Sequence, residues 1–163
     1  MKTEIKSIEH KTFKDNRGSY TPLLTNQVID EVEYHWDQCS ISINDKIGTL
    51  RGLHYQTNPK QTKYVKVIQG SIIDFLYNLE TGELRSIILN DDEAVLVPDN
   101  MAHGFLTLEP NTIVAYMVKG EYNPDSEHSI VWNSVEQVKN IVEGLLTGMR
   151  VELTISDKDK MGK

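Results

Sequence analysis

Tyr64-Val65-Lys66-Val67-Ile68-Gln69-Gly70-Ser71-Ile72-Ile73-Asp74-Phe75-Leu76-Tyr77-Asn78-Leu79 is the stretch on which the fold turns. β-Branched and aromatic residues fill it, the types that suit a pleated, half-buried surface, and Gly70-Ser71 interrupts it once. It reads as two strands around a turn. Toward the C-terminus the pattern continues. Thr81-Gly82-Glu83 is a turn, Ser86-Ile87-Ile88-Leu89 a strand and Asn90-Asp91-Asp92 another turn. Ala94-Val95-Leu96-Val97 is then a strand that Pro98-Asp99-Asn100 stops. Further strands are expected from Gly104 to Leu108 and from Ile113 to Val118. Short strands at this spacing indicate a sandwich or barrel.

One helix is expected, after Asn133. Ser134 is placed to cap it, with Gln137 at the capping-box position. Val135, Val138, Ile141, Val142 and Leu145 form one apolar stripe, and Gly148 is placed to end the helix. Residues 1–163 read as a single domain. The charged end from Ser156 to Lys163 reads as a mobile or partner-ordered tail.

Composition narrows the function. A chain of 163 residues needs no covalent staples, and one cysteine, Cys39, excludes an intramolecular disulfide. No apolar run approaches the roughly 20 residues that cross a bilayer, and no signal-peptide core opens the chain. The expectation is a cytoplasmic protein that does not engage a membrane. A net charge of −7 argues against nucleic acid and anionic lipid as partners. A small anion held by a few local arginines and lysines stays open.

Three clusters carry chemistry. Arg51-Gly52-Leu53-His54-Tyr55-Gln56 places a guanidinium, an imidazole and an amide on one strand. Strict alternation would put Arg51 and Leu53 on one face and Gly52, His54 and Gln56 on the other. Imidazole as a side-chain type titrates near neutral pH, so His54 suits a general base, with Arg51 near a phosphate; an ordinary surface-strand histidine is the plainer reading. Pro98-Asp99-Asn100-Met101-Ala102-His103-Gly104-Phe105 sets a second histidine after a strand end. Tyr116-Met117-Val118-Lys119-Gly120-Glu121-Tyr122-Asn123-Pro124 supplies two tyrosines around a turn. His103 could equally cap a turn, and Tyr116 could be a core aromatic.

Taken in order, these clusters resemble one family. Asn16-Arg17-Gly18, the Arg51–Gln56 motif, Gln61-Thr62-Lys63-Tyr64-Val65, Ala102-His103-Gly104-Phe105, Tyr116, Tyr122-Asn123-Pro124, Glu127 and Ile130-Val131-Trp132-Asn133 look like the dTDP-4-dehydrorhamnose 3,5-epimerases. The resemblance implies a mainly β, cupin-type jelly-roll barrel (a double-stranded β-helix) with one C-terminal helix, assembled as a homodimer. It implies an isomerase inverting C3, C5 or both of a nucleotide-linked 4-keto-6-deoxyhexose, most simply dTDP-linked, without metal or organic cofactor. His54 would be the base, Tyr116 the acid on the opposite face, and Lys63 the cation beside the developing O4 oxyanion. Ser156-Asp157-Lys158-Asp159 matches the family's Ser-x-Lys-Asp segment, so Asp159 would orient His54; Asp74 is the other candidate. Arg17, Arg51, Gln56, Asp74, His103, Tyr122 and Glu127 would bind substrate.

Metal-binding cupins carry a His-x-His pair. Here Tyr55 and Gln56 follow His54, leaving two imidazoles where a catalytic zinc site takes three protein ligands. The chain also departs from the family pattern at Pro22, at Ser40 within Gln38-Cys39-Ser40-Ile41-Ser42, and at Ser134. A related 3,4-ketoisomerase and a non-catalytic sugar- or nucleotide-binding cupin are the alternative readings.

Overall fold

The computed structural model describes residues 7–8, 13–15, 18–20, 27–29 and 32–162. Arg17 and Pro22, on which two of the expectations above rest, lie outside them. Short strands β1 (Ser7–Ile8), β2 (Phe13–Asp15), β3 (Gly18–Tyr20), β4 (Gln27–Ile29) and β5 (Val32–Tyr34) come first. The main strands are β6 (Gln38–Asn44), β7 (Thr49–Gln56), β8 (Thr62–Gln69), β9 (Ile72–Asn78), β10 (Leu84–Leu89), β11 (Ala94–Val97), β12 (Met101–Thr107), β13 (Thr112–Lys119) and β14 (Glu127–Ser129). A 3₁₀ turn (Trp132–Ser134), helix α1 (Glu136–Met149), β15 (Thr154–Ile155) and a short helix α2 (Asp157–Met161) complete the order.

Two sheets face each other. One runs β1-β11-β8-β13-β6, the other β10-β9-β12-β7-β14 with β15 alongside β7 in parallel. This is the cupin-type jelly roll, and the two-residue period of its strands sorts side chains into three layers. Val65, Val67, Val95, Val97 and Val114 of the first sheet meet Ile72, Leu76, Leu89, Met101 and Phe105 of the second between the sheets. Leu50, Leu53, Ile73, Phe75, Ala102 and Leu106 point the other way and pack under Val135 and under Val138 and Val142 of α1. Tyr64, Ala94 and Met117 form the outer layer of the first sheet with Trp36. Burying each such side chain stabilises by about 1.5–3 kcal/mol.

The helix departs from expectation at both ends. Ser134 closes the 3₁₀ turn, its hydroxyl donating to the Val131 carbonyl at 2.6 Å, so Val135 takes the N-cap position with no side-chain cap. Gly148 stays helical, and Arg150 at φ 56° makes the left-handed stop. His103 is the third residue of β12, inside a strand rather than after one. The expected mobile tail is ordered: Ser156 caps α2 by accepting from the Asp159 amide at 3.2 Å, and Asp159 is buried against β7.

Candidate active site

Between the sheets lies a cavity of about 320 Å³. Arg51, His54, His103 and Phe105 line it from one sheet; Ser42, Lys63 and Tyr116 line it from the other. Tyr122, Glu127 and Asp159 close its rim.

Arg51 and His54 share the cavity because β7 is bulged. Along β12 the paired residues His103 and Phe105 are two apart, while their partners His54 and Arg51 on β7 are three apart. The extra residue breaks the alternation read from sequence and sends Leu53 to the helix side with Leu50. Gly52 sits at the bulge with φ 105°, where a Cβ would lie 2.5 Å from the His103 carbonyl oxygen. No other residue fits there.

His54 Nε2 donates to Asp159 Oδ1 at 2.6 Å, and Asp159 Oδ2 accepts from the Gly52 amide at 3.3 Å. A carboxylate only accepts, so Nε2 carries the proton and Nδ1 is left as the basic nitrogen. Burial would raise the Asp159 carboxyl, but the hydrogen bond and charge of His54, with Gly52 and Ser156, outweigh it and hold the group below the ordinary carboxylate range. The carboxylate partner of His54 is thus Asp159. Asp74 serves the other imidazole, accepting from His103 Nε2 at 2.7 Å. Burial raises the Asp74 carboxyl, opposed by His103 and Lys63. Its side chain lies behind His103 and does not line the cavity.

Lys63 is a half-buried cation at the cavity wall. Its depth pushes the ammonium down to about 8, against the attraction of Glu127 and Asp74. Tyr116 stacks beside Phe105 at 6.4 Å and its hydroxyl lies 2.8 Å from that of Ser42. Burial raises the phenol, opposed by the Ser42 hydrogen bond and the Arg51 charge. At the rim, Tyr122 donates to Glu127 at 3.1 Å and Lys158 reaches the same carboxylate oxygen at 2.8 Å. Burial would raise Glu127, but these two hydrogen bonds bring it below its ordinary value.

Gln56 differs from the expectation of substrate contact. Its amide donates to the Pro59 and Glu121 carbonyls at 2.6 and 2.8 Å and accepts from the Asn123 amide, tying two loops together outside the cavity. Ser42, Asn44 and Lys158 were not singled out as site residues. Short polar residues on a strand carry no signal in a single chain, although Ser42 and Lys158 fall inside quoted motifs. Among the described residues no three His, Cys, Asp or Glu side chains converge as metal ligands.

The fold is thus a cupin-type barrel whose cavity sets a carboxylate-backed imidazole across from a phenol, beside a half-buried ammonium and an arginine. The chain belongs to the dTDP-4-dehydrorhamnose 3,5-epimerase family, which it matches over residues 3–163. It is 34% identical over 129 residues to the dTDP-4-dehydrorhamnose 3,5-epimerase of Mycobacterium tuberculosis, covering 71% of this chain and 62% of that enzyme. The chain thus spans less than two-thirds of that relative's length. With the Methanothermobacter thermautotrophicus enzyme it shares 31% identity over 96% of this chain and 86% of the relative. The crystal structure of the Bacillus anthracis epimerase with TDP and PPi bound superposes with a TM-score of 0.79 at 34% identity, covering 97% of this chain and 92% of that one.

Proposed function

We propose that this protein inverts C3, C5 or both of a nucleotide-linked 4-keto-6-deoxyhexose, with dTDP as the carrier, in deoxysugar or surface-polysaccharide biosynthesis. One observation carries the reading: His54, backed by Asp159, and Tyr116 enter one cavity from facing sheets. Inversion needs that arrangement, a base on one face of the carbon and an acid on the other. A protein that only bound the sugar would need neither.

The hydrogens at C3 and C5 lie next to the C4 ketone. Nδ1 of His54 takes the proton, the C–H electron pair moves into the ring and O4 gains negative charge. Lys63 donates to that oxygen, a fixed cation in a partly dehydrated cavity. Tyr116 then delivers a proton to the opposite face and the ketone re-forms. Arg51 meets the diphosphate, with Tyr122 and Glu127 at the mouth and His103 beside the sugar. A homodimer in the cytoplasm goes with this reading; no helix of the described residues is long and apolar enough to cross a membrane.

The test is incubation with dTDP-, GDP- and CDP-linked 4-keto-6-deoxyhexoses in deuterated water, followed by NMR. Deuterium at C3 or C5 with inverted configuration, fastest for the dTDP sugar, is expected. Wild-type protein that leaves all three sugars unlabelled would refute the reading.

A further inference from the structure

Behind Tyr116 runs a chain of hydrogen bonds whose direction is set at its far end. Arg51 Nε donates to Asn44 Oδ1 at 2.7 Å. A guanidinium has no acceptor, so the Asn44 carbonyl must face it. The other side of the amide, Nδ2, donates to the Thr112 carbonyl at 3.0 Å and to Ser42 Oγ at 3.3 Å. A backbone carbonyl only accepts, which fixes the same orientation independently. Ser42 Oγ is thereby an acceptor toward Asn44. Its remaining neighbour among the described hydrogen bonds is the Tyr116 hydroxyl at 2.8 Å.

We infer that Ser42 and Asn44 are positioning residues for the acid: the Asn44 amide leaves Tyr116 Oη as the acceptor for the Ser42 proton among the described hydrogen bonds, so Ser42 donates to it and the phenolic proton is free to point into the cavity. The inference rests on the epimerase reading for its chemistry and on hydrogen-bond geometry for its direction. When Tyr116 protonates carbon, the new C–H bond forms with the ring's electron pair and the ketone is restored. The O–H pair stays on the phenol oxygen. Ser42 keeps its proton throughout and donates to the phenolate so formed. Water later returns a proton to Tyr116 and accepts the one held by His54. With the polarity reversed, the phenolic proton would be spent on Ser42 and could not reach the sugar.

Two substitutions separate this from a structural role. Ser42→Ala removes the donor to the phenolate, and loss of a hydrogen bond to a charged atom is expected to slow inversion roughly tenfold to a hundredfold. Ser42→Thr keeps the hydroxyl and should restore most of it. Asn44→Asp keeps the Arg51 contact but can only accept, so it gives up the bond to the Thr112 carbonyl, Ser42 turns toward it and the polarity reverses. Solvent exchange at C3 and C5 should persist while inversion falls, and this ratio is independent of how tightly Arg51 holds the diphosphate. A readout without substrate is the ¹⁹F NMR titration of protein carrying difluorotyrosine at position 116. Its ionisation midpoint should rise in Ser42→Ala, which loses the donor to the phenolate, and stay near the wild-type value in Ser42→Thr. An unchanged or lowered midpoint in Ser42→Ala would overturn the inference whatever the enzyme's reaction. A raised midpoint with an inactive wild type would instead count against the epimerase reading alone.

Discussion

Arg51 and His54 stand three residues apart on one strand and face the same cavity. An unbroken strand would send them to opposite sides of the sheet. The additional residue in β7, set against His103 and Phe105 of β12, brings the guanidinium and the imidazole into one site. Leu53, between them, anchors the strand under α1.

The bulge depends on Gly52. Gly52→Ala would place a methyl 2.5 Å from the His103 carbonyl oxygen and 2.7 Å from the Gly104 Cα, at φ 105°. The backbone has to move, at a cost of roughly 1–3 kcal/mol for the left-handed conformation before any clash is counted. Lower thermal stability and loss of turnover are expected together. A Gly52→Ala protein with wild-type melting and activity would remove the bulge from the argument.

On the proposed mechanism Asp159 orients the base through its hydrogen bond to His54. Asp159→Asn should leave the fold intact while lowering kcat by roughly 10²–10⁴-fold, with KM changed far less. The substitution also tests stability against pH. The carboxyl is held below its ordinary 3.8, so its contribution is present at neutral pH and is lost as the pH falls from there through the lowered value. Acid-unfolding curves should converge for wild type and Asp159→Asn at the lowest pH and separate above it. Curves that stay parallel would show that Asp159 titrates alike in both states.

Tyr116→Phe removes the proposed acid and keeps the ring against Phe105. Hydrogen at C3 or C5 should still exchange with solvent through His54 and return to its original face, while inverted product falls sharply. Both rates come from one deuterium-labelled sample. An equal loss of both would assign Tyr116 to binding instead.

Lys63 sets an alkaline limit. The proposed mechanism needs its ammonium charged beside O4, and burial brings its pKa down to about 8, so kcat is expected to decline above that pH. The stability consequence has the opposite sign from Asp159. The folded pKa lies below the unfolded 10.5, so the charged form costs stability below pH 8, and that cost is relieved as the pH rises toward 10.5. Lys63→Met should therefore abolish turnover and raise stability at neutral pH, on the order of 1–3 kcal/mol. A lower melting temperature for Lys63→Met would contradict the burial argument.

Most of the architecture that depends on local pattern was legible in the chain, the two ends of α1 excepted. Alternating β-branched residues and Gly, Asp and Asn turns marked β8 to β13, because a strand's period and a turn's backbone needs are properties of a few neighbouring residues. The stripe Val135, Val138, Val142 marked α1 for the same reason. The resemblance singled out His54, Lys63, Tyr116 and Asp159 by type and order, and all four line one cavity.

What tertiary structure decided is direction and partnership. A bulge is a mismatch between two strands 50 residues apart, so nothing within Arg51–Gln56 announces that Arg51 and His54 face one way. The charged C-terminal residues read as a loose tail because five residues cannot hold a helix alone. They are ordered by β15 pairing with β7, and that docking brings Asp159 to His54 across 105 residues of chain. Gln56 sits in the strongest motif yet serves the loops, since which carbonyls surround an amide depends on distant segments. The sequence by itself determined the strand periods, the turn positions and the kinds of chemistry present. Packing of segments far apart in the chain decided which side chains meet, because a hydrogen bond depends on distances and angles that no local pattern encodes.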